Sequence, residues 1–273
     1  FGDGTSAGGL INSDNLLLGG LGTNGGGIGA QLTAESLAAI MNSTPARMAD
    51  WVDPLNEAMK TFEINTPKRI AAFLANVSKE TRGLQVFSEN TNWNLNAVDR
   101  HGNYTQRFRR FSTANAETIA AYQTESADNK ADYAYLSLAN GNTEADDGHK
   151  YKGRGLLHLT WKNNYRLATV GLNLVYGAET YDLVTNFESV TTNPVVASRT
   201  GAWFWHSGSS RGNLNNIVDR SDSTDQENFE LTVLGTRGGG DPGRLPIWRS
   251  INRVIYQENA LGNMSEVLKA MGI

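Results

Sequence analysis

Two carboxylates, Glu80 and Glu89, stand nine residues apart with a glycine, Gly83, between them. Glu80 lies in TPKRIAAFLANVSKETRGL (66–84), where Thr66 is placed to cap a helix and Pro67 to take its first position. Ile70, Phe73, Leu74 and Val77 then share one face. Seven residues beyond Phe73 on an ideal helix is a rotation of about 700°, so Glu80 points within roughly 20° of Phe73 and continues the apolar stripe. A carboxyl group held in such surroundings is favoured in its neutral form, the form a general acid needs. Gly83 is placed to end the helix, which lets the chain fold back and set Glu89 across a cleft. One carboxylic acid and one carboxylate facing a bond is the pair that glycoside hydrolysis requires. A chain with 28 acidic residues holds many such spacings, and a Glu at a frayed helix end paired with Lys79 or Arg82 is the plainer reading of Glu80 alone.

The elements that must position this pair are legible as periodicities. Thr33 is placed to cap a helix carrying Leu37, Ile40 and Met41, with Leu32 and Leu37 as a hydrophobic staple. A second helix is expected over 53–62, before the helix that begins at Pro67. Further helices are expected over 115–124 and 130–137, with NGNTEADDG (140–148) as loop. YKGRGLLHLT (151–160) reads as a turn leading into a short extended segment. Helices resume over 162–171, 194–207, 226–235 and 245–260. Residues 1–30 hold eleven of the 29 glycines, so residues 1–31 read as a Gly-rich linker or, given Leu16, Leu17 and Leu18, a packed arm. Residues 32–273 then form one mainly α domain, two-lobed, with a small extended element.

Other chemistries are poorly served. Cysteine is absent, which removes disulfides and thiolate chemistry. The four histidines (His101, His149, His158, His206) show no paired ligand spacing, so no metal site is expected. GGGDPG (238–243) lacks the Lys-Ser/Thr of a phosphate loop. A net charge of −4 gives no global basic field for nucleic acid, and RFRRF (107–111) reads as a helix edge with Phe108 and Phe111 packed. No apolar run is long enough to span a bilayer, and no signal peptide is visible. Trp203 and Trp205 read as core, whereas Trp93 and Trp161, beside the candidate site, read as sugar platforms.

The segments TPKRIAAFLANVSKETRGL (66–84) and SENTNWN (88–94) resemble the acid-bearing helix and loop of glycoside hydrolase family 19. DGHKYKGRGLLHLTWKNNY (147–165) is similar to that family's second signature, a Y-x-G-R-G turn leading to Q-L-[ST] and an Asn-Tyr pair. GAWFWHSG and GNLNNIVDR (201–220) resemble segments of its phage endolysin-like branch, in the lysozyme superfamily, and LTAESLAAIM (32–41) resembles the start of that branch. TRGGGDPGRL (236–245) is a weaker counterpart of the family's Gly loop.

The resemblance implies a lysozyme-like fold with a cleft between lobes, Glu80 as general acid, Glu89 as second carboxylate, and Thr160 holding a water or the carboxylate. It implies that Tyr151, Arg154 and Gly155 shape the turn, and that Tyr151, Arg154, His158, Trp161, Asn164 and Trp93 meet the substrate. It implies inversion, for which a carboxyl separation of roughly 6.5–9.5 Å leaves room for water. No cofactor or metal is implied. Departures from the family pattern are Lys79 in place of His, Arg82 in place of Gly and His158 in place of Gln. The expected activity is cleavage of the β-1,4 bonds of the peptidoglycan glycan strand, with chitin as the alternative polymer. A virion or secretion-machinery component using the domain for binding or assembly is the non-enzymatic alternative. With no signal peptide visible, action in the bacterial periplasm or cell wall implies delivery by phage lysis, a virion or a secretion system, and the N-terminal segment could join a larger protein. Neither nucleic-acid binding nor membrane insertion is expected.

Overall fold

A computed structural model describes residues 31–95 and 114–236, and both stretches are mainly helical. Thr33 caps α1 (Ala34–Met41) reciprocally: its Oγ1 accepts from the Ser36 amide at 3.2 Å, and Ser36 Oγ accepts from the Thr33 amide at 2.9 Å. Leu32 and Leu37 are both buried, as a staple requires. Helix α2 (Pro45–Thr61) is longer than the helix expected over 53–62, because it begins at Pro45 and runs through Pro54. An interior proline removes an amide donor and crowds the preceding turn. Burial of Met48, Trp51, Leu55, Ala58 and Met59 on either side of it offsets that cost.

Helix α3 (Pro67–Thr81) forms as its sequence dictates, with Thr66 Oγ1 accepting from the Arg69 amide at 3.3 Å. It ends in three successive left-handed residues, Arg82 (φ 52°), Gly83 (φ 71°) and Leu84 (φ 58°). The Gly83 amide donates to the Ser78 carbonyl at 2.8 Å. A Cβ on Gly83 would lie 2.4 Å from the Met41 carbonyl oxygen, so glycine is needed here both for its φ and for the close approach to the end of α1.

The next helices, α4 (Ala116–Gln123) and α5 (Ala127–Ala134), are capped by Asn115 and Ser126. The expected helix over 130–137 thus starts and ends earlier, because Ser126 supplies the cap. The expected loop over 140–148 holds, apart from a 3-10 turn at Leu138–Asn140 and the start of the one-turn helix α6 (Asp147–Lys150). Helix α7 (Lys162–Tyr176) outruns its expected end by five residues, since Leu172 still packs on the core. Then follow α8 (Ser189–Thr192), α9 (Pro194–Trp203), a π-helical turn at Phe204–Gly208, α10 (Leu214–Val218) and α11 (Asp225–Thr236).

Among the described residues two apolar cores result. The large one surrounds α3 and takes residues from α1, α2 and α7 to α11, with Phe73 edge-on to Trp205 at 5.5 Å. Trp203 and Trp205 belong to it, as expected. The small core gathers Trp93, Leu95 and Ile119, with Tyr122, Tyr133 and Tyr135 against it. Two cores of this kind make the two-lobed, mainly α architecture, with the segment after Glu80 crossing from one to the other. Among the described residues no helix is long and apolar enough to cross a membrane. The glycine-rich residues 1–30, RFRRF (107–111), GGGDPG (238–243) and the helix expected over 245–260 lie outside the described residues.

Gly83→Ala should destabilise the fold by about 1–3 kcal/mol, because the added Cβ meets a carbonyl and loses the left-handed backbone. Urea denaturation followed by circular dichroism measures this, and a neutral result would show that the α1–α3 junction relaxes freely.

Candidate active site

Backbone pairing, rather than the helix itself, brings the candidate residues together. The Gly155 amide donates to the Phe87 carbonyl at 2.8 Å and the Glu89 amide to the Gly153 carbonyl at 2.8 Å. Arg154 and Leu159 exchange bonds of 3.1 and 2.8 Å, closing a tight turn over residues 155–158. This is the small extended element expected from YKGRGLLHLT. Gly155 sits at φ 77°, where a Cβ would press on Val190 at 2.7 Å. Gly153 leaves only 3.1 Å between its own Cβ position and the His158 Cβ. The turn is therefore folded onto itself, and its side chains are driven toward the end of α3.

Glu80 meets it there. Its side chain is 15% exposed, so the acid is largely withdrawn from water as the extended stripe of α3 predicts, and its Oε2 lies 3.6 Å from His158 Nδ1. Glu89 follows Ser88 at the other edge of the turn, and its Oε2 accepts from the Tyr135 hydroxyl at 2.5 Å. Thr160 Oγ1 donates to the His158 carbonyl at 2.7 Å and lies 3.4 Å from the Gly153 Cβ position. His158 and Thr160 thus crowd Gly153, Glu89 joins that residue through its backbone amide, and Glu80 reaches the turn through His158.

The remaining expected residues divide in two. Asn164 and Trp161 flank the cluster: Asn164 Nδ2 donates to the Thr160 carbonyl at 2.7 Å, and Trp161, at φ 80°, is partly exposed and edge-on to Tyr135 at 5.1 Å. Tyr151 and Arg154 turn their polar ends into the protein. The Tyr151 hydroxyl donates to the Val184 carbonyl at 3.0 Å, and burial pushes its proton affinity up. Arg154 donates to the carbonyls of Lys150 and His149, each at 3.0 Å, and lies over Phe187. Trp93 is only 7% exposed and packs in the small core, 6.1 Å from Tyr135.

Two residues not singled out by sequence hold Glu89 and the segment that follows it. Tyr135, the residue that ends α5, reaches it across 46 positions. Lys130, 3% exposed, donates to the Trp93 carbonyl at 3.2 Å and to Asn92 Oδ1 at 3.4 Å. Neither carries a local signal, since one reads as a helix end and the other as a surface lysine.

The family model described as "Chitinase class I", a glycoside hydrolase 19 model, matches residues 109–218. Over those residues the chain is similar to glycoside hydrolase family 19. A "Glycosyl hydrolase family 19 domain-containing protein" of Haemophilus influenzae is 29% identical over 136 residues, 50% of this chain and 60% of that protein. "Chitinase 11" of Oryza sativa subsp. japonica is 49% identical over 55 residues, 20% of this chain and 19% of that protein. The chain therefore spans less than two thirds of the length of these relatives. A crystal structure of a chitinase C shares the fold, with TM-score 0.51, 20% identity, and coverage of 91% of this chain and 96% of that one.

Within the segment that matches the family model, a buried ion pair braces the turn. Asp147, 1% exposed, accepts from the amides of Thr143 and Glu144 at 2.8 and 3.0 Å and from Lys162 Nζ at 2.9 Å. Burial by itself would raise the proton affinity of this carboxyl, but the two amides and the ammonium outweigh it and hold it below the usual carboxylate range. Lys162 opens α7 directly after Trp161, so the pair ties both ends of the turn. Lys162→Met should cost about 3–5 kcal/mol at pH 7, because it strands a buried charge. A folded-state value below the unfolded one contributes stability above the unfolded value and loses it as pH falls through the folded one. The deficit of Lys162→Met, read by urea denaturation, should therefore shrink once pH drops below the carboxylate range.

Proposed function

We propose that this chain is a glycoside hydrolase that cleaves the β-1,4 bonds of the peptidoglycan glycan strand by inversion. Glu80 serves as general acid, Glu89 as the carboxylate that takes a proton from water, and Thr160 helps hold that water. The observation that carries this reading is the convergence of Glu80 and Glu89, from different elements, on the Gly153 turn. Their surroundings differ as the two roles require. Glu80 is mostly withdrawn from water beside an imidazole, whereas Glu89 accepts a hydrogen bond from the Tyr135 hydroxyl. When the acid protonates the leaving oxygen, the bond from that oxygen to the sugar carbon breaks. The water then attacks from the opposite face and gives its proton to Glu89. In this reading Trp161 and Asn164, which flank Thr160, would touch the neighbouring sugars.

Peptidoglycan is favoured by the motifs resembling the phage endolysin-like branch and by the bacterial relative matched over 136 residues. Such an enzyme would be bacteriolytic and would act in the cell wall after delivery by lysis, virion or secretion system. Chitin is the second reading, favoured by the printed names of the rice relative and of the structure that shares the fold.

Digestion of purified peptidoglycan and of chitin oligomers, with products read by mass spectrometry, tests the proposal. Muropeptides ending in reducing N-acetylmuramic acid are expected from the unmodified protein. Glu80→Gln should release them about 10²–10⁴-fold more slowly, the usual contribution of a positioned acid. Anhydro ends would replace hydrolysis with transglycosylation, cleavage of chitin alone would reassign the polymer, and no product from either would leave a binding or assembly role. Tyr135→Phe should lower kcat about tenfold with little change in KM, since one charge-assisted hydrogen bond to Glu89 is lost. A rate equal to the parent's would show that Glu89 is positioned by its backbone alone.

A further inference from the structure

His158 closes the turn at φ 50°, a left-handed conformation that costs a residue with a β-carbon about 1 kcal/mol or more. With its Cβ 3.1 Å from the Gly153 Cβ position, the imidazole is carried toward the end of α3. Its Nδ1 lies 3.6 Å from Glu80 Oε2, one small side-chain adjustment from a hydrogen bond. Its Nε2 is buried and meets no hydrogen-bonding group among the described residues. A neutral imidazole carries one proton on two nitrogens, so the groups are linked. With that gap closed, Oε2–H of a neutral Glu80 would donate to Nδ1 with the imidazole proton on Nε2. With the proton gone from Oε2, Nδ1 would become the donor.

We propose that His158 is the positioning residue and proton partner of Glu80, so that the Glu80–His158 pair, rather than Glu80 alone, holds the proton delivered to the leaving oxygen. The proposal rests on the reading of Glu80 as general acid. The other charged and titratable groups around the turn are Lys79 on α3, Arg82 just beyond its end, Glu89, Tyr135, His149, Lys152 and Arg154. Several are committed elsewhere: Arg154 to two backbone carbonyls, Lys152 to Asp128 at 3.6 Å, His149 to Asp132 at 2.9 Å and Tyr135 to Glu89. Among the described residues, Glu80 is the acid whose oxygen lies within ion-pair distance of His158.

Histidine-labelled protein titrated by nitrogen NMR tests the pair without needing turnover. Its His158 signal is assigned by its loss in His158→Gln, a neutral replacement of similar reach. In Glu80→Gln the titration midpoint of His158 should fall, because a carboxylate beside Nδ1 favours the protonated ring and a neutral amide does not. An unchanged titration overturns the proposal whatever the substrate proves to be. The pH profile of kcat/KM gives the second readout. The alkaline limb of the unmodified enzyme should move to lower pH in His158→Gln, because the shared proton is lost earlier. A limb that stays in place while the rate falls uniformly would reduce His158 to packing and overturn the proposal. Coupled titration in a protein that cuts no glycan would uphold the pair and reject the catalytic reading of Glu80, so the two failures are separable.

Discussion

The candidate site depends on a single backbone junction, the bonds that join residues 87–89 to 153–155 and close Arg154 onto Leu159. Each bond contributes only about 1 kcal/mol net. Its larger effect is on register. Successive side chains along an extended segment point to opposite faces, so a slip by one residue would turn Glu89 away from the Gly153 turn. Gly153 and Gly155 permit that junction because a Cβ at either position would crowd His158 or Val190. Everything proposed for Glu80, Glu89, His158 and Thr160 presupposes that these segments meet in this register.

The junction is held from both lobes. On the side of the large core, α3 delivers Glu80 through Phe73, Leu74 and Val77, all fully buried, and Leu156, Leu157 and Leu159 anchor the turn in the same core. On the side of the small core, Lys130 and Tyr135 clamp the segment that follows Ser88. The first anchorage is extensive and apolar, whereas the second rests on a few polar contacts and three buried side chains. Strain accumulates where the two meet. Of the seven non-glycine residues with positive φ among those described, Arg82, Leu84, His158 and Trp161 flank Glu80 or Thr160. A conformation of this kind persists only where surrounding packing over-determines it, and such residues gather at functional sites.

Much of the fold was legible because its signals are local. Thr33, Thr66, Pro67 and Gly83 mark helix ends through bonds within a few residues, and the stripe from Ile70 to Glu80 follows from helical period alone. Trp203 and Trp205 read correctly as core for the same reason. The start of α2 was not legible, because Pro54 argues locally for a break and only the burial of Trp51 and Leu55 overrules it. The earlier start of α5 at Ser126 was missed although its cap is local.

By itself, the sequence determined which residue types lie on one helical face, where the best-capped helices begin and end, and that two carboxylates flank a glycine turn. The tertiary structure decided which distant groups complete them. Tyr135 finds Glu89 across 46 positions, Lys130 finds the Trp93 carbonyl across 37, and His158 comes to Glu80 from a turn on the far side of α4 to α6. Contacts of that span leave no periodic trace, because they are set by how the two cores pack rather than by the backbone geometry of any one element.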